Sequence, residues 1–302
     1  GLYKINKEDK DLNAIIDKAN IARKSIKGSH KSGYAIYNKE MNETTLKEKM
    51  IEGRMSYALK NDEFLTYLQP KFDLFTNKIC GAEALVRWKQ KNGKMIYPND
   101  FIPIFEKNGF IVNLDLNMYE KVFKKMKQWL DDGLDVVPIS LNVSREHTAS
   151  FDFVKKILNL INRYNIPSSL VEFELTESIF ATDLAYLNDF IQEIRKSGFK
   201  VSIDDFGSAY SSLNLLKEID VDVIKLDKGF LTSQKDFENN NKDKIVIEYI
   251  VKMAKELNLQ VVCEGIETQQ QIDLLKEIGC KIGQGYIFSE PISIEQFEET
   301  FY

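Results

Sequence analysis

Histidine is scarce in this 302-residue sequence, which contains only His30 and His147. Centres that need several histidines, such as histidine-rich di-metal sites, are therefore excluded. Any chemistry is expected to use carboxylates, amides, lysine and a hard cation such as Mg²⁺ or Mn²⁺. We interpret both histidines as surface or structural residues.

Cysteine is also scarce, and long apolar runs are missing. Cys80, Cys263 and Cys280 are odd in number and far apart, which argues against a disulfide framework and against a thiolate zinc site. No apolar run approaches the roughly 20 residues of a membrane span, and no signal peptide opens the sequence. These absences predict a cytoplasmic location. The sequence starts at Gly1 rather than at a methionine, so a full-length parent could still be anchored through upstream segments.

Basic residues are not in excess. The 41 lysines and arginines against 46 aspartates and glutamates give a net charge of −5. This balance argues against broad DNA binding, whereas a small anionic ligand needs only a local cationic pocket. The hydrophobic content of 43% and the length allow a large core, either in one barrel-sized domain or in two smaller ones.

The first 60 residues differ from the rest. "DLNAIIDKANIARKS" has helical apolar spacing, "SGYAIY" is predicted to be a short strand, and Leu46, Met50 and Leu59 fit an amphipathic connecting helix. These elements are too few for an independent domain. We therefore expect residues 1–60 to be the tail of one domain and residues 61–302 to form another.

From residue 64 onward, short apolar runs alternate with helical patterns. The predicted helices are "NMYEKVFKKMKQWLDD", "FVKKILNLINRY", "YLNDFIQEIRKSG", "IVIEYIVKMAKELN" and "TQQQIDLLKEIG". The predicted strands are "FLTYLQ", "CGAEALVR", "DVVPISLN", "LVEFEL", "KVSIDD", "DVIKL", "LQVVCE" and "GQGYIF". About eight such units predict an α/β fold of the (β/α)₈ barrel type. A doubly wound open sheet is the alternative, but no G-x-G-x-x-G follows an early strand.

Polar residues lie within or at the ends of most of these strands, and in a barrel the carboxyl ends converge on one face. They are Glu83, Asn142, Glu174, Asp204, Asp205, Lys225, Glu264 and Gln284. Each has an ordinary explanation taken singly, such as an ion pair of Glu83 with Arg87, an ion pair of Lys225 with a neighbouring aspartate, or a helix cap at Asp205. Together, several carboxylates in one cleft would repel one another unless cations neutralise them. The set therefore favours two hard divalent cations around a phosphate.

Nine motifs in order carry a resemblance to a known family. They are "YLQPKFDL", "GAEALVRW", "PNDFIPIFEKNG", "LNVSR", "EFELTES", "DDFGSAYSSL", "VIKLDKGF", "VVCEGIET" and "GQGYIFSEP". Over roughly residues 61–302 the sequence resembles EAL domains, the cyclic di-GMP phosphodiesterases. Residues 1–60 resemble the C-terminal end of a GGDEF domain, although the GGDEF signature is absent from the sequence.

The resemblance implies a modified (β/α)₈ barrel of the TIM type with one antiparallel strand. It implies metal-dependent hydrolysis of cyclic di-GMP to linear 5′-pGpG in bacterial second-messenger signalling, with two Mg²⁺ or Mn²⁺ ions and with Ca²⁺ as an inhibitor. A homodimer is common in such proteins. The alternative is a sensor that binds cyclic di-GMP without cleaving it, but such proteins have usually lost metal ligands.

The resemblance also implies roles for single residues. The ligands of one metal would be Glu83, Asn142, Glu174 and Asp204. Asp204 would bridge to a second metal held with Asp205 and Glu264. Lys225 would orient or activate the attacking water, with Gln284 supporting it. Substrate contacts are expected from Gln69, Leu85 and Arg87, and Glu177 would anchor the loop after "DDFG". Ala209 stands in that loop where the family commonly has glycine, which is expected to affect the rate rather than the ligands.

Overall fold

The protein is described by a computed structural model that covers residues 1–26, 33–148, 152–181, 184–207, 216–231 and 241–302. Within them the chain forms one mixed sheet that closes on itself. Its strands are β1 (Phe64–Asp73), β2 (Ile79–Lys89), β3 (Met95–Ile96), β4 (Ile139–Val143), β5 (Val171–Thr176), β6 (Lys200–Phe206), β7 (Val223–Leu226), β8 (Gln260–Cys263), β9 (Ile282–Gly283) and β10 (Ile292–Ser293).

Eight of these strands form the closed barrel. The sheet runs from β1 through β9, β8, β7, β6, β5 and β4 to β2, and the pairing of β1 with β2 closes it. β1 is antiparallel to both of its barrel neighbours, whereas the pairs from β2–β4 round to β8–β9 are parallel. The predicted α/β barrel with one antiparallel strand is confirmed.

Helices cover the outside of the barrel and complete its core. They are α1 (Leu12–Ser25), α2 (Lys39–Lys60), α3 (Pro98–Asn108), α4 (Ile111–Asp131), α5 (Arg145–Thr148), α6 (Asp152–Tyr164), α7 (Leu184–Lys196), α8 (Asn241–Glu256), α9 (Gln269–Glu277) and α10 (Ile294–Phe301). The main core lies between the barrel and the helices and includes the buried rings of Phe123, Trp129, Phe153 and Phe173. A second core joins α2, α3 and α4 to the start of β1 through Phe64, with Trp88 on β2.

Local sequence signals explain where several helices begin and end. Thr268 caps α9: its side chain accepts a hydrogen bond from the backbone N–H of Gln271, and the side chain of Gln271 accepts one from the backbone N–H of Thr268. Pro98 opens α3 at a position where the missing amide hydrogen costs nothing. Gly109 ends α3 at a φ of 74°, a left-handed conformation that glycine adopts without strain. Among the described helices, none is both long and apolar enough to cross a membrane.

Three details of the sequence prediction are wrong. "SGYAIY" forms only an isolated bridge between Leu2 and Ile36 over its described residues. In "GQGYIF", the strand ends at Gly283, and the chain then passes so close to Ile266 that a Cβ added at Gly285 would be 2.1 Å from the carbonyl oxygen of Ile266. On α2 the buried residues are Ile51 and Ala58, whereas of the three predicted apolar positions only Leu59 packs on the core and Leu46 and Met50 are 58% and 55% exposed.

Candidate active site

Lys225 lies at the centre of a group of carboxylates inside the barrel. The side chain is fully buried on β7. Its Nζ lies 2.6 Å from Oε2 of Glu174, 2.8 Å from Oε1 of Glu264, 2.9 Å from Oδ1 of Asp204 and 3.2 Å from Oε2 of Glu83. One ammonium group is thus shared by four carboxylates from four different segments, although it has only three hydrogens to donate.

Strand geometry brings these side chains together. Successive residues of a strand point to opposite faces, so Glu83, Leu85 and Arg87 share one face of β2. Glu83 pairs with Gln69 across the β1–β2 ladder. On β6, the register shifts between Ile203 and Phe206, which places a β-bulge at the two aspartates.

The bulge explains how adjacent aspartates serve one site. Asp205 has a φ of 54°, a left-handed conformation that aspartate tolerates better than most residues. Carboxylate oxygens of Asp204, Asp205 and Glu264 lie within 4.8 Å of one another as a result. We call Glu83, Glu174, Asp204, Asp205 and Glu264 the carboxylate cluster.

Three amide side chains support Glu83. Gln284 donates from Nε2 to Oε2 of Glu83 at 2.8 Å and to Oε1 of Gln69 at 3.0 Å. Asn142 donates from Nδ2 to Oε1 of Glu83 at 3.1 Å, and the backbone carbonyl oxygen of Asn142 accepts a hydrogen bond from the hydroxyl of Tyr119 at 2.6 Å. Both oxygens of Glu83 are therefore held in fixed directions.

The pKa values of these groups are pushed apart by their surroundings. Burial, together with the charges of Asp204, Glu83 and Glu174, raises the pKa of Glu264 to about 8 against the opposing charge of Lys225. Burial also raises the pKa values of Glu83 and Asp204. In Glu174, burial acts in the same sense, but the charges of Lys225 and Lys71 outweigh it and lower the pKa to about 2.

A second group of polar residues lies beneath Glu174 and was not predicted from the sequence. Lys71 donates from Nζ to Oγ of Ser140 at 2.6 Å and to Oε1 of Glu174 at 2.9 Å, and it lies 3.5 Å from Oε1 of Glu172. Ser140 donates to the same oxygen of Glu172 at 3.1 Å. We call Lys71, Ser140 and Glu172 the floor cluster. The one signal in the sequence that could have pointed to this cluster is the lysine two residues after Gln69.

The donor set fits divalent cations. The carboxylate cluster and Glu172 contain six carboxylates, and Lys71 and Lys225 supply two positive charges, so the two clusters have a net charge of −4 when all the carboxylates are ionised. Two divalent cations would balance that charge. Oε1 of Gln284 is buried, and among the described residues no donor hydrogen-bonds with it, while the buried Oδ1 of Asp204 has only the shared ammonium of Lys225 beside it, at 2.9 Å. Carboxylate and amide oxygens are the ligands that Mg²⁺ and Mn²⁺ prefer.

Other sequence candidates lie around this centre. Arg87 donates to the carbonyl oxygen of Val86 at 2.9 Å and lies 5.6 Å from the ring centre of Tyr67. Glu177 accepts at Oε2 from the amide of Gly207 at 3.0 Å, next to the "DDFG" aspartates. Ala209 and the helix that Asp205 would cap fall on residues 208–215, which lie outside the described residues.

The ordinary explanations for two residues do not match the contacts. Lys225 pairs with the carboxylate cluster rather than with the neighbouring aspartates, since Asp222 pairs with Arg195 and Asp227 accepts from the amide of Gly229. Glu83 does have an ion pair, but its partner is Lys225 rather than Arg87.

A cavity of about 440 Å³ opens beside the cluster. Leu85 and Asn142 line its inner end, while Leu114 and Met118 contribute apolar surface from α4. The carboxylates at its wall come from Glu106, Asp115 and Glu146. Asp115 is also paired with the buried His147 at 3.0 Å, which agrees with a structural role for that histidine.

Comparison with known proteins gives a consistent result. The EAL domain family model matches residues 52–291. The chain is 33% identical to the signaling protein YkoW of Bacillus subtilis over 97% of its own length, and 29% identical to the cyclic di-GMP phosphodiesterase PdeR of Escherichia coli over 96% of it. It spans only 36% and 43% of the lengths of these two relatives.

A solved structure gives the same fold. The structure described as "PaMucR Phosphodiesterase, c-di-GMP complex" superposes with a TM-score of 0.76 at 30% identity. The match covers 82% of this chain and 99% of that one. The similarity therefore extends over the whole of that domain, including the barrel that carries the carboxylate cluster.

Proposed function

Because the chain belongs to the EAL domain family, we propose that it hydrolyses cyclic di-GMP to linear 5′-pGpG with the help of divalent cations. The observation that carries this proposal is the arrangement of four carboxylates around Lys225 inside the barrel. This arrangement combines a surplus of negative charge with a single buried cation at the carboxyl ends of the strands, where barrel enzymes build their active sites.

The proposed metal ligands are those that the resemblance to EAL domains implies, and the closeness of Asp204, Asp205 and Glu264 supports three of them. Glu83, Asn142, Glu174 and Asp204 would hold one Mg²⁺ or Mn²⁺, and Asp204 would share the second with Asp205 and Glu264. When bound, such cations polarise a phosphodiester and lower the pKa of water.

The chain's own residues orient the reactants. Lys225 would donate a hydrogen bond to the attacking water and would stabilise negative charge on the phosphate as the bond to the 3′ oxygen breaks. Glu264, whose pKa without metal is about 8, would accept the proton of that water only after it has lost its own proton. Gln284 donates to Glu83 and is itself held by Gln69, and the guanidinium of Arg87 suits a phosphate because it donates two parallel hydrogen bonds.

The cavity beside Leu85 supports the choice of substrate. Its volume of about 440 Å³ is large enough for a nucleobase, and its apolar surface from Leu114 and Met118 suits a flat ring. The carboxylates of Glu106 and Asp115 at its wall are acceptors for the ring N–H and amino groups of guanine.

The test is incubation of the protein with cyclic di-GMP and Mn²⁺, followed by chromatography of the products. Linear 5′-pGpG supports the proposal. Binding without cleavage would instead make the protein a cyclic di-GMP sensor, and the absence of both would contradict the proposal.

Ca²⁺ is expected to support binding of cyclic di-GMP with little turnover. Calcium accepts the same oxygen ligands but holds them at longer distances and in looser geometry than Mg²⁺. The measurement is substrate affinity by calorimetry and hydrolysis rate by chromatography, each in Mg²⁺, Mn²⁺ and Ca²⁺. Cleavage in Ca²⁺ at the Mg²⁺ rate would contradict the geometric part of the mechanism.

Binding of Mn²⁺ is expected to weaken as the pH falls below about 8. Without metal, Glu264 holds its proton up to that pH, and a cation must displace the proton before it can bind. The raised pKa also means that the metal-free fold is stabilised by this proton below pH 4.5, the ordinary value, and loses that contribution as the pH rises through about 8.

Calorimetric titration with Mn²⁺ at pH 6 and pH 8 checks this expectation. Glu264→Gln serves as the control, because an amide cannot titrate and should remove most of the difference. Equal Mn²⁺ affinity of the wild-type protein at both pH values would rule out a protonated Glu264.

Residues 1–60 are proposed to be the C-terminal end of a GGDEF-like domain, with the phosphodiesterase barrel in residues 61–302. We further propose a cytoplasmic location, since the substrate is a bacterial second messenger, and a homodimer. Sedimentation with and without cyclic di-GMP measures the oligomeric state.

A further inference from the structure

Lys71 is buried in a place where a lysine needs a specific reason. It lies on β1 and is only 5% exposed. Its register partner on β2 is Gly81, where an added Cβ would already contact the lysine stem, 3.7 Å from its Cδ. This is an ordinary contact, and the nearer neighbour of such a Cβ would be the carbonyl oxygen of Pro138 at 3.3 Å. The stem of Lys71 thus lies directly beside the backbone of β2 at Gly81.

The ammonium group has an acceptor for each of its three hydrogens. Ser140 at 2.6 Å and Glu174 at 2.9 Å are the short contacts, and Glu172 at 3.5 Å is the long one. A buried charge is costly unless it is paired and hydrogen-bonded, and these contacts meet both conditions. An ion pair with Glu172 alone would be enough to neutralise Lys71. The shorter contact of Lys71 with Glu174 therefore needs a separate explanation.

Glu174 is held from two sides. Its Oε1 accepts from Lys71, and its Oε2 accepts from Lys225 at 2.6 Å. The carboxylate is completely buried, so no water competes for either oxygen. Lys71 therefore ties Oε1 to the floor of the barrel and leaves only Oε2 on the side of Lys225 and the carboxylate cluster.

The number of oxygens that a carboxylate offers matters for the choice of cation. Ca²⁺ accepts six to eight oxygens and often takes both oxygens of one carboxylate, whereas Mg²⁺ demands near-octahedral geometry with shorter bonds. A glutamate that can offer one oxygen only suits the smaller cation.

We propose that Lys71 is a positioning residue that restricts Glu174 to one ligand oxygen and so favours Mg²⁺ or Mn²⁺ over Ca²⁺. This inference rests on the proposed function insofar as Glu174 is a metal ligand. It assigns the cation preference to a side chain that does not itself touch the cation.

The experiment compares two variants that differ only at Lys71. Glu172→Gln removes the other acid of the floor cluster and keeps the contact between Lys71 and Glu174. The double variant Lys71→Met, Glu172→Gln removes one positive and one negative charge together, so the net charge of the barrel interior equals that of the wild type. Calorimetry with MgCl₂, MnCl₂ and CaCl₂, without nucleotide, then gives the ratio of affinities for each protein. Thermal unfolding shows that both variants are folded.

The Mg²⁺-to-Ca²⁺ affinity ratio of Glu172→Gln should equal that of the wild type. In the double variant the ratio should fall by about tenfold to a hundredfold, the usual effect of removing a residue that orients a metal ligand. Equal ratios in the two variants would overturn the proposal and leave Lys71 a purely structural residue. A wild-type protein that binds metals but does not cleave cyclic di-GMP would contradict the proposed function and leave this inference standing. Failure of the wild-type protein to bind either cation would overturn both.

Discussion

Replacement of Lys225 by alanine is expected to lower kcat for cyclic di-GMP hydrolysis by about a hundredfold to a thousandfold, the usual loss when one preorganised donor is removed. Substrate affinity should change little if the ammonium group acts mainly on charge that develops in the transition state. The measurement is kcat at saturating Mn²⁺, with affinity determined in Ca²⁺ so that turnover does not interfere.

The structure adds a stability effect to this prediction. Without metal, four carboxylates lose the cation they share, and breaking a buried ion pair from one side costs about 3–5 kcal/mol. The free energy of unfolding of Lys225→Ala should therefore fall in EDTA and recover in Mn²⁺. Lys200→Met, at an exposed lysine on β6, is the control. A Lys225→Ala protein with normal binding and near wild-type turnover would remove Lys225 from the mechanism, and loss of binding would make it a phosphate anchor.

Replacement of Glu83 by alanine is expected to reduce the rate of hydrolysis at least about a hundredfold. Loss of a residue that only hydrogen-bonds to a metal ligand typically costs about tenfold to a hundredfold, and loss of a ligand itself should cost more. The change removes a proposed ligand and the residue on which Asn142, Gln284 and Lys225 converge. The fold should remain intact, because Glu83 contributes a buried charge rather than apolar packing. Hydrolysis rate in Mn²⁺ and the midpoint of thermal unfolding are the two measurements.

Two further variants sharpen the test of Glu83. Glu83→Gln keeps the shape and removes the charge, so it should also be strongly impaired if the charge holds a cation. Glu120→Ala, at a partly exposed pair with Arg163 on the outside of α4, should keep the wild-type rate. Turnover of Glu83→Ala at the wild-type level with saturating metal would withdraw Glu83 from the site.

Much of the barrel could be predicted because its strands are short apolar runs separated by helical patterns. Glu174, Asp204 and Glu264 stand out in such runs, since an unpaired carboxylate in a buried strand is costly and therefore points to a partner. Convergence of strand ends in a barrel then predicts that these residues meet, which is where the structure places them.

The remaining features depend on contacts between distant segments. Nothing near Lys71 in the sequence indicates Glu174 as its partner, because the two residues meet only after the barrel has closed. The close approach of Ile266 to Gly285, just after the end of β9, is likewise not revealed by any local pattern. Leu46 and Met50 of α2 look like an apolar face in the sequence, but α2 contributes Ile51, Ala58 and Leu59 to the second core instead.

The bulge on β6 also restricts which substitutions position 205 can accept. Asp205 must supply a carboxylate to the cluster while its backbone stays in the left-handed region, at a φ of 54°. Glycine and asparagine accept that backbone but carry no charge, and glutamate carries the charge but resists the backbone. Two independent requirements therefore coincide at one residue, so another residue at this position in a related chain would indicate that the proposed second cation is not held there.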